Sequence, residues 1–431
     1  MNKMNLAVPA LALAAALVAL PAHTQQAPEN QPADTQQPAA DAELPPAAVP
    51  SAAGQERTVM VVVGGSLTWD SNVFRLPDSA DPQAQLGRSS KSDRISTTYA
   101  GLRVDKQYAQ QRFLLDATVT AIRYGAFSYL DFDPVEYRGE WQWHLTPRVS
   151  GALGADRSEA LANYGDFRNA SQRNVLINEN RRLSVDGWLF GGWHLLGGIR
   201  QREVNYSVPL PQVGSFRETA GEAGLRYLAG TAASLTVNFR STNGHYTDRV
   251  LDPVALLDDG FTRSESELLA TWIVTGKSTL DARLARVDYR SNHFAERSFS
   301  GTAATLGHRW AATGKLSVNL AFSRELQPWE DSSASYRVDQ RLSLGPLWQM
   351  TDRTALRLSL GREARDYRNP VAGFTGTTRR DTLRSAQIAL DWRLLRNLSV
   401  NASLQRQRQT STDAAFEFEA SVATLGASLK F

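Results

Sequence analysis

The 431-residue chain contains no cysteine, which excludes disulfide scaffolds, thiolate zinc sites, iron–sulfur clusters and cysteine nucleophiles. Histidine is scarce. His23, His144, His194, His245, His293 and His308 lie far apart with no H-E-x-x-H or comparable spacing, so neither a metal nor another cofactor is expected. Basic and acidic residues nearly balance, 47 against 44, and a net charge of +3 spread along the chain is no nucleic-acid footprint. Beyond the N-terminus no apolar run reaches the length of about 18 residues that a spanning helix needs, which excludes a helical membrane protein. Lysine is nearly missing too: Lys3, Lys91, Lys106, Lys277, Lys315 and Lys430 stand against 41 arginines.

Lys3 precedes an apolar stretch, Leu6 to Ala22, that ends in small residues, the pattern of a secretory signal peptide over residues 1–22 with cleavage after Ala22. Residues 23–56 hold six prolines, five acids (Glu29, Asp34, Asp41, Glu43 and Glu56) and no Lys or Arg. Such a stretch cannot bury enough apolar surface to offset its ordering entropy, so a disordered periplasmic segment is expected, either a plain tether or a docking site for periplasmic export components.

From residue 57 onward the hydrophobic period is two. In YRGEWQWHL, Tyr137, Gly139, Trp141, Trp143 and Leu145 share one face, and Arg138, Glu140, Gln142 and His144 the other. The same alternation sets Leu235, Val237 and Phe239 against Arg240, and Leu316, Val318, Leu320 and Phe322 against Asn319. It recurs with Leu356, Leu358 and Leu360 against Arg357, with Ile388, Leu390 and Trp392 against Asp391 and Arg393, and with Leu398, Val400 and Leu404 against Asn401 and Gln405. Short turn signals punctuate these strands: Thr146-Pro147-Arg148, Thr275-Gly276-Lys277, Thr313-Gly314-Lys315, Thr351-Asp352-Arg353 and Arg396-Asn397. Longer polar connections lie between them at Asp70–Lys91, Arg157–Asn180, Ser241–Gly260 and Tyr367–Thr377. Alternation slips by one near Arg286–Tyr289 and Phe416–Val422, where β-bulges are expected.

Tight turns at one end and long loops at the other mark a transmembrane β-barrel of the outer-membrane type. Trp141, Trp143, Trp193, Trp272, Trp310, Trp348 and Trp392 all lie within a few residues of a tight turn, as one interfacial girdle would require. A soluble sandwich or propeller would scatter them. The fold expected for residues 57–431 is therefore all-β, a closed antiparallel barrel of about 18 strands, give or take about two, with both termini periplasmic. Leu425, Ala427, Leu429 and terminal Phe431 alternate, resembling the final-strand signal read by the outer-membrane insertion machinery. Outer-membrane lipid is the expected surround.

A barrel of this size encloses more space than its own side chains fill. Arg138, Glu140, Gln142, Arg240, Asn319, Arg357, Asp391, Arg393, Asn401 and Gln405 are the candidate lumen-facing residues, a wettable lining for a polar or sugar-like solute. Arginine forks suit the carboxylates of an acidic polysaccharide, while genome composition explains their abundance equally simply.

Ser66 to Ser79 read SLTWDSNVFRLPDS. Asp70, Asn72, Val73, Phe74, Arg75, Leu76, Pro77 and Asp78 resemble the opening of EpsL-type outer-membrane proteins, found in exopolysaccharide loci associated with exosortase and PEP-CTERM systems within a broader class of β-barrel porins. The resemblance implies exopolysaccharide biosynthesis or export, as pore or scaffold, with the polymer as a partner. Read physically, Asp70 and Asn72 can make side-chain turns, Pro77-Asp78 can turn the chain again, and Phe74 is expected at the outer interface.

Catalysis finds little support. Ser291-Asn292-His293 sits at a loop mouth, but adjacent residues on a strand point to opposite faces and do not give triad geometry. The loop acids Asp131, Asp133, Asp258 and Asp259 have no calcium-loop spacing. The expectation is a non-enzymatic barrel acting in exopolysaccharide export. The alternatives are a general or substrate-specific porin for small polar solutes and, least supported, an outer-membrane lipid or glycan hydrolase.

Overall fold

A strand with Leu, Val and Trp on one face and Ser, Asn and Arg on the other is satisfied when the first meets lipid and the second an aqueous interior. An open sheet would still leave edge N–H and C=O groups unpaired in hydrocarbon, so the sheet must close. The computed structural model describes residues 58–167 and 172–431; the expected signal peptide (1–22) and the 23–56 segment lie outside them. The strands are β1 (Val59–Asp70), β2 (Asp93–Tyr108), β3 (Gln111–Tyr124), β4 (Val135–Thr146), β5 (Val149–Leu161) and β6 (Val175–Phe190). They continue with β7 (Trp193–Tyr206), β8 (Phe216–Ala229), β9 (Ala233–Tyr246), β10 (Gly260–Thr275), β11 (Ser278–Ser291) and β12 (Phe299–Ala311). The ring is completed by β13 (Leu316–Pro328), β14 (Tyr336–Thr351), β15 (Thr354–Arg368), β16 (Arg380–Arg393), β17 (Leu398–Ser411) and β18 (Phe418–Lys430). All 18 form one antiparallel sheet in chain order, closed by β1 on β18 from Val62↔Lys430 to Asp70↔Val422. Phe431 lies in that seam, its N–H donating to Val61 O at 2.8 Å. No helix among the described residues is long and apolar enough to cross a membrane; the strands do the crossing.

The recurring threonine explains the tight turns. The Oγ1 of Thr146, Thr275, Thr313 and Thr351 accepts the N–H two residues on, from Arg148, Lys277, Lys315 and Arg353, each at 3.2 Å. The hydroxyl thus caps the turn, and the basic residue carries its charge into solvent. Beside these turns Trp141, Trp193, Trp272, Trp310, Trp348 and Trp392 are exposed on the outer wall, a girdle at the turn end.

Two expectations are corrected. No bulge lies at Arg286–Tyr289 or Phe416–Val422: β10 and β11 pair without a slip from Phe261↔Ser291 to Ile273↔Thr279, and β17 and β18 from Leu398↔Leu429 to Gln409↔Phe418. What changes is the surroundings. Toward the loop end the same inner face that carries Arg283 lower down carries buried Ala285, Val287 and Tyr289, while Arg286, Asp288 and Arg290 point outward. Once a strand rises above the lipid, polar residues suit its outer face and apolar ones its inner face, which mimics a one-residue slip. For the same reason the connections Arg157–Asn180 and Ser241–Gly260 are shorter than expected: β5 runs to Leu161, β6 begins at Val175 and β9 runs to Tyr246.

Candidate functional site

The lumen is built from the inward faces. All ten candidate residues stand on the side opposite the exposed apolar wall. Glu140 accepts from Gln142 at 2.6 Å and pairs with Arg182 at 2.5 Å. Arg240 is nearly buried among Glu222, Glu265 and Glu267, at 2.9, 2.7 and 3.3 Å. Arg357 pairs with Asp391 at 3.0 Å. Two of the guanidinium forks proposed for an acidic polymer are thus already taken by the protein's own carboxylates. Asn319, Arg138 and Arg393 are exposed, Asn401 lies against Gly426, and the Gln405 Oε1 is buried with no hydrogen-bond partner.

The lining is uneven. Paired charges line most of the ring, including Arg103–Asp116 and Arg112–Asp105 on β2 and β3 and Arg357–Asp391 between β15 and β16, whereas the mid-height inner faces of β17, β18 and β1 present Ser403, Gln405, Gln407, Thr424 and Thr68, all uncharged amides and hydroxyls.

At the loop end the lumen is bridged by residues that sequence reasoning missed. Asp166, between β5 and β6, pairs with Arg337 at 3.4 Å and with Arg365, with Arg379 at 3.8 Å. Arg337 and Arg365 belong to β14 and β15, on the opposite side of an 18-strand ring, so the Asn163–Phe167 arm reaches across it. Burial alone would raise the Asp166 carboxyl, but the three arginines hold it well below the usual carboxylate range. Phe167 stacks on Trp329 at 5.6 Å over a buried cluster of Leu176, Val204, Leu210, Val213 and Tyr367. A second cluster joins Tyr246, Phe261, Tyr289 and Phe299 to Leu326 and Val338. β12 and β13 stop pairing at Ala304↔Arg324, and the upper end of the β13–β14 hairpin packs on the inner side of β12, with Leu326 against Gly301. Arg297, 1% exposed, donates to four carbonyls, Leu256, Asp331, Ala334 and Ala255, and so ties three loops together.

The 70–78 motif belongs to the same end. The Asp70 carboxylate accepts the Asn72 N–H at 2.8 Å and Arg75 Nη1 at 2.7 Å, and the Asn72 amide brackets Leu76 through its N–H and C=O at 2.9 and 2.8 Å. Pro77 accepts Lys91 Nζ through its carbonyl, and Asp78 lies beside it. Phe74, expected at the outer interface, is instead 1% exposed, packed on Phe127, Leu130 and Tyr164. The chain turns beside it at Arg75, where φ is 54°.

Ser291 and His293 do converge, but on a shared acid: Asp258 accepts the Ser291 hydroxyl, the His293 N–H at 2.7 Å and His293 Nδ1 at 2.9 Å. The serine hydroxyl donates its hydrogen bond to Asp258 and not to the imidazole, so the serine–histidine pairing of a nucleophilic site is missing here. Asp259 approaches His293 at 3.5 Å, yet Asp258 is already saturated, with Gly260 N–H as a further donor. The group is a latch between two loops. Hydrogen bonding to Asp258 raises the His293 pKa; burial alone would raise that of Asp258, but its donors lower it. Asp131 caps the Tyr124 N–H at 2.7 Å and Asp133 pairs with Arg123 at 2.7 Å, both structural uses.

The comparisons come from two directions. The model of a family described as "Putative beta-barrel porin 2" matches residues 274–431, which span β11 to β18. No curated protein matches. Among solved structures the chain is similar to Pseudomonas aeruginosa OccK2 (OpdF) in complex with glucuronate, at 13% identity and TM-score 0.47 over 87% of this chain and 98% of that one. It is also similar to Acinetobacter baumannii OccAB3, at 8% identity and TM-score 0.46 over 86% and 98% of the two chains. The siderophore receptor PirA from Acinetobacter baumannii aligns at 8% identity and TM-score 0.44 over 87% and 81%.

Proposed function

We propose that this chain is an outer-membrane barrel, loops outward and both termini in the periplasm, that takes part in exopolysaccharide export as a gated passage for the polymer. The observation that carries the reading is the lining: an uncharged strip of Gln, Asn, Ser and Thr on β17, β18 and β1 faces inner walls whose arginines are largely paired with the protein's own carboxylates. Amide and hydroxyl groups exchange hydrogen bonds with sugar hydroxyls as readily as with water, so a sugar chain can slide past them without a deep well. The Asp70–Asp78 segment, resembling EpsL-type proteins, supports the exopolysaccharide setting. The expected outcome of a clean deletion is loss of secreted polymer with retention in the periplasm, restored by the wild-type gene; unchanged secretion would reject the reading. A second reading, a porin for small polar solutes, is favoured by the family model over β11 to β18. It predicts solute-dependent swelling of proteoliposomes and normal polymer secretion in the deletion strain.

A further inference from the structure

Above the apolar band, the outer wall is mostly paired in charge: Arg123 with Asp133, Arg157 with Glu159 and Glu179, Arg217 with Glu203, Arg290 with Asp288. Arg94, Arg286 and Arg324 stand singly on that face with no ion pair among the described residues, but one sector gathers several cations side by side. The register sets Arg362 on β15 opposite Arg384 on β16, and Arg384 opposite Arg408 on β17, all on the outer face in line with Leu360, Ile388 and Leu404. Like charges directly opposite on neighbouring strands repel. Arg362 and Arg384 form no ion pair among the described residues, while Arg408 and its neighbour Arg406 share the single carboxylate of Glu419 at 3.2 and 2.9 Å. Four guanidiniums therefore stand over one acid. Strands are spaced about 4.8 Å apart, so the row of three is about 10 Å wide, broader than one phosphate and suited to a headgroup bearing two.

Immediately toward the turn end the same strands are hollowed. Ala402 and Ala423 lie between Leu390, Leu404 and Leu425, leaving an outward groove of about 830 Å³ that Leu67 helps to line. Two small side chains flanked by leucines make a trough for a hydrocarbon chain, directly below a row of cations.

We propose that this face of β15 to β18 binds a phosphorylated lipid of the leaflet at the loop end, its phosphates on Arg362, Arg384 and Arg408 and an acyl chain in the Ala402–Ala423 groove. The proposal rests on the barrel standing in a membrane with its loops outward, and is independent of what crosses the lumen. Delipidated full-length barrel in detergent would be titrated with bis-phosphorylated lipid A, following binding by native mass spectrometry. The triple variant Arg362→Gln/Arg384→Gln/Arg408→Gln should lower affinity at least about tenfold. Ala402→Phe, which fills the groove and leaves every arginine in place, should lower it several-fold, and Arg286→Gln/Arg290→Gln, exposed on the outer wall elsewhere, should leave it unchanged. Retained affinity in the triple variant, or equal binding of fully dephosphorylated lipid, would overturn the assignment; competition by inorganic phosphate as effective as the lipid itself would reduce the site to a bare anion patch and overturn it as well. Heat-modifiable gel migration of each variant separates a lost site from a lost fold. Because the readout is lipid binding and not secretion, its failure leaves the export reading standing, and the reverse holds too.

Discussion

Replacing Arg297 by methionine keeps the length of the side chain and removes every donor. Four carbonyls then lose the guanidinium donor, at distances that now run from 2.7 to 3.2 Å. An orphaned buried acceptor costs about 1–3 kcal/mol, but Ala334 O, whose bond is the only fully buried one, keeps a second donor in the Asp331 N–H at 3.1 Å, and water can reach the other three once the loops loosen. Removing the guanidinium also recovers its own desolvation, which burial makes large enough to lower the Arg297 pKa. The net expected is about 1.5 kcal/mol against the closed arrangement of the three loops, or about tenfold in their open population. The barrel wall is untouched, so the effect is local. Amide hydrogen exchange at 252–259 and 331–335 should rise by about that factor, with Arg297→Lys in between, because one ammonium cannot reach four carbonyls. Exchange within about threefold of wild type at both segments would refute the role of Arg297 as the tie between loops.

The Asp258–His293 latch should respond to pH from both sides. The His293 pKa is raised above 6.5, so its contribution is full below that value and is lost as pH rises through the higher folded value. The Asp258 pKa is lowered below 3.8, so its contribution is full above 3.8 and is lost as pH falls through the lower folded value. Protease cleavage within 252–259 should therefore be slowest between the two ordinary values and rise in alkali; a His293→Gln variant should lose the alkaline rise. Thr313→Val removes an acceptor for the Lys315 and Leu316 N–H groups and should destabilise the barrel by about 1–2 kcal/mol in urea unfolding from lipid vesicles, with no change in any transport assay. Phe74→Ala should leave a cavity worth about 3–5 kcal/mol to local stability, read as increased exchange over 71–92; an exposed interfacial Phe74 would give almost none.

Below the lipid boundary the sequence was transparent, since a single rule, apolar outward at period two, held along nearly all strands; His308, outward on β12 between Leu280 and Leu320, departs from it. Trp392, Leu404 and Leu425 could be assigned without any knowledge of their neighbours. Above the boundary the rule inverts, and Val287 and Ala420 look like register errors when they are buried on the inner face. Period alone cannot reveal this, because it reports alternation and not which side is wet. The bridge was less legible still: Asp166 and Arg365 are 199 residues apart, and nothing local in either distinguishes a cross-lumen partner from a solvated loop charge. Arg297 offers the same lesson, since an arginine beside Glu296 in a loop reads as surface until two other loops are folded around it. The 70–78 motif was visible as a turn-rich segment, but not the positive φ at Arg75 beside Phe74, a conformation seldom inferred for arginine.

The claim on which the account turns is that the lumen is shut by Asp166 reaching across it. The most direct test is single-channel conductance of Asp166→Asn beside wild type in planar bilayers. Breaking a buried pair of this kind costs about 3–5 kcal/mol, which shifts closed against open by about 10²- to 10⁴-fold. Wild type should dwell closed at pH 7 and stay so at pH 5, because the lowered Asp166 pKa keeps the carboxylate charged well below its usual 3.8. Asp166→Asn should dwell open at both. Equal conductance and equal open times in the two proteins, with the variant folded by heat-modifiable migration, would contradict the account.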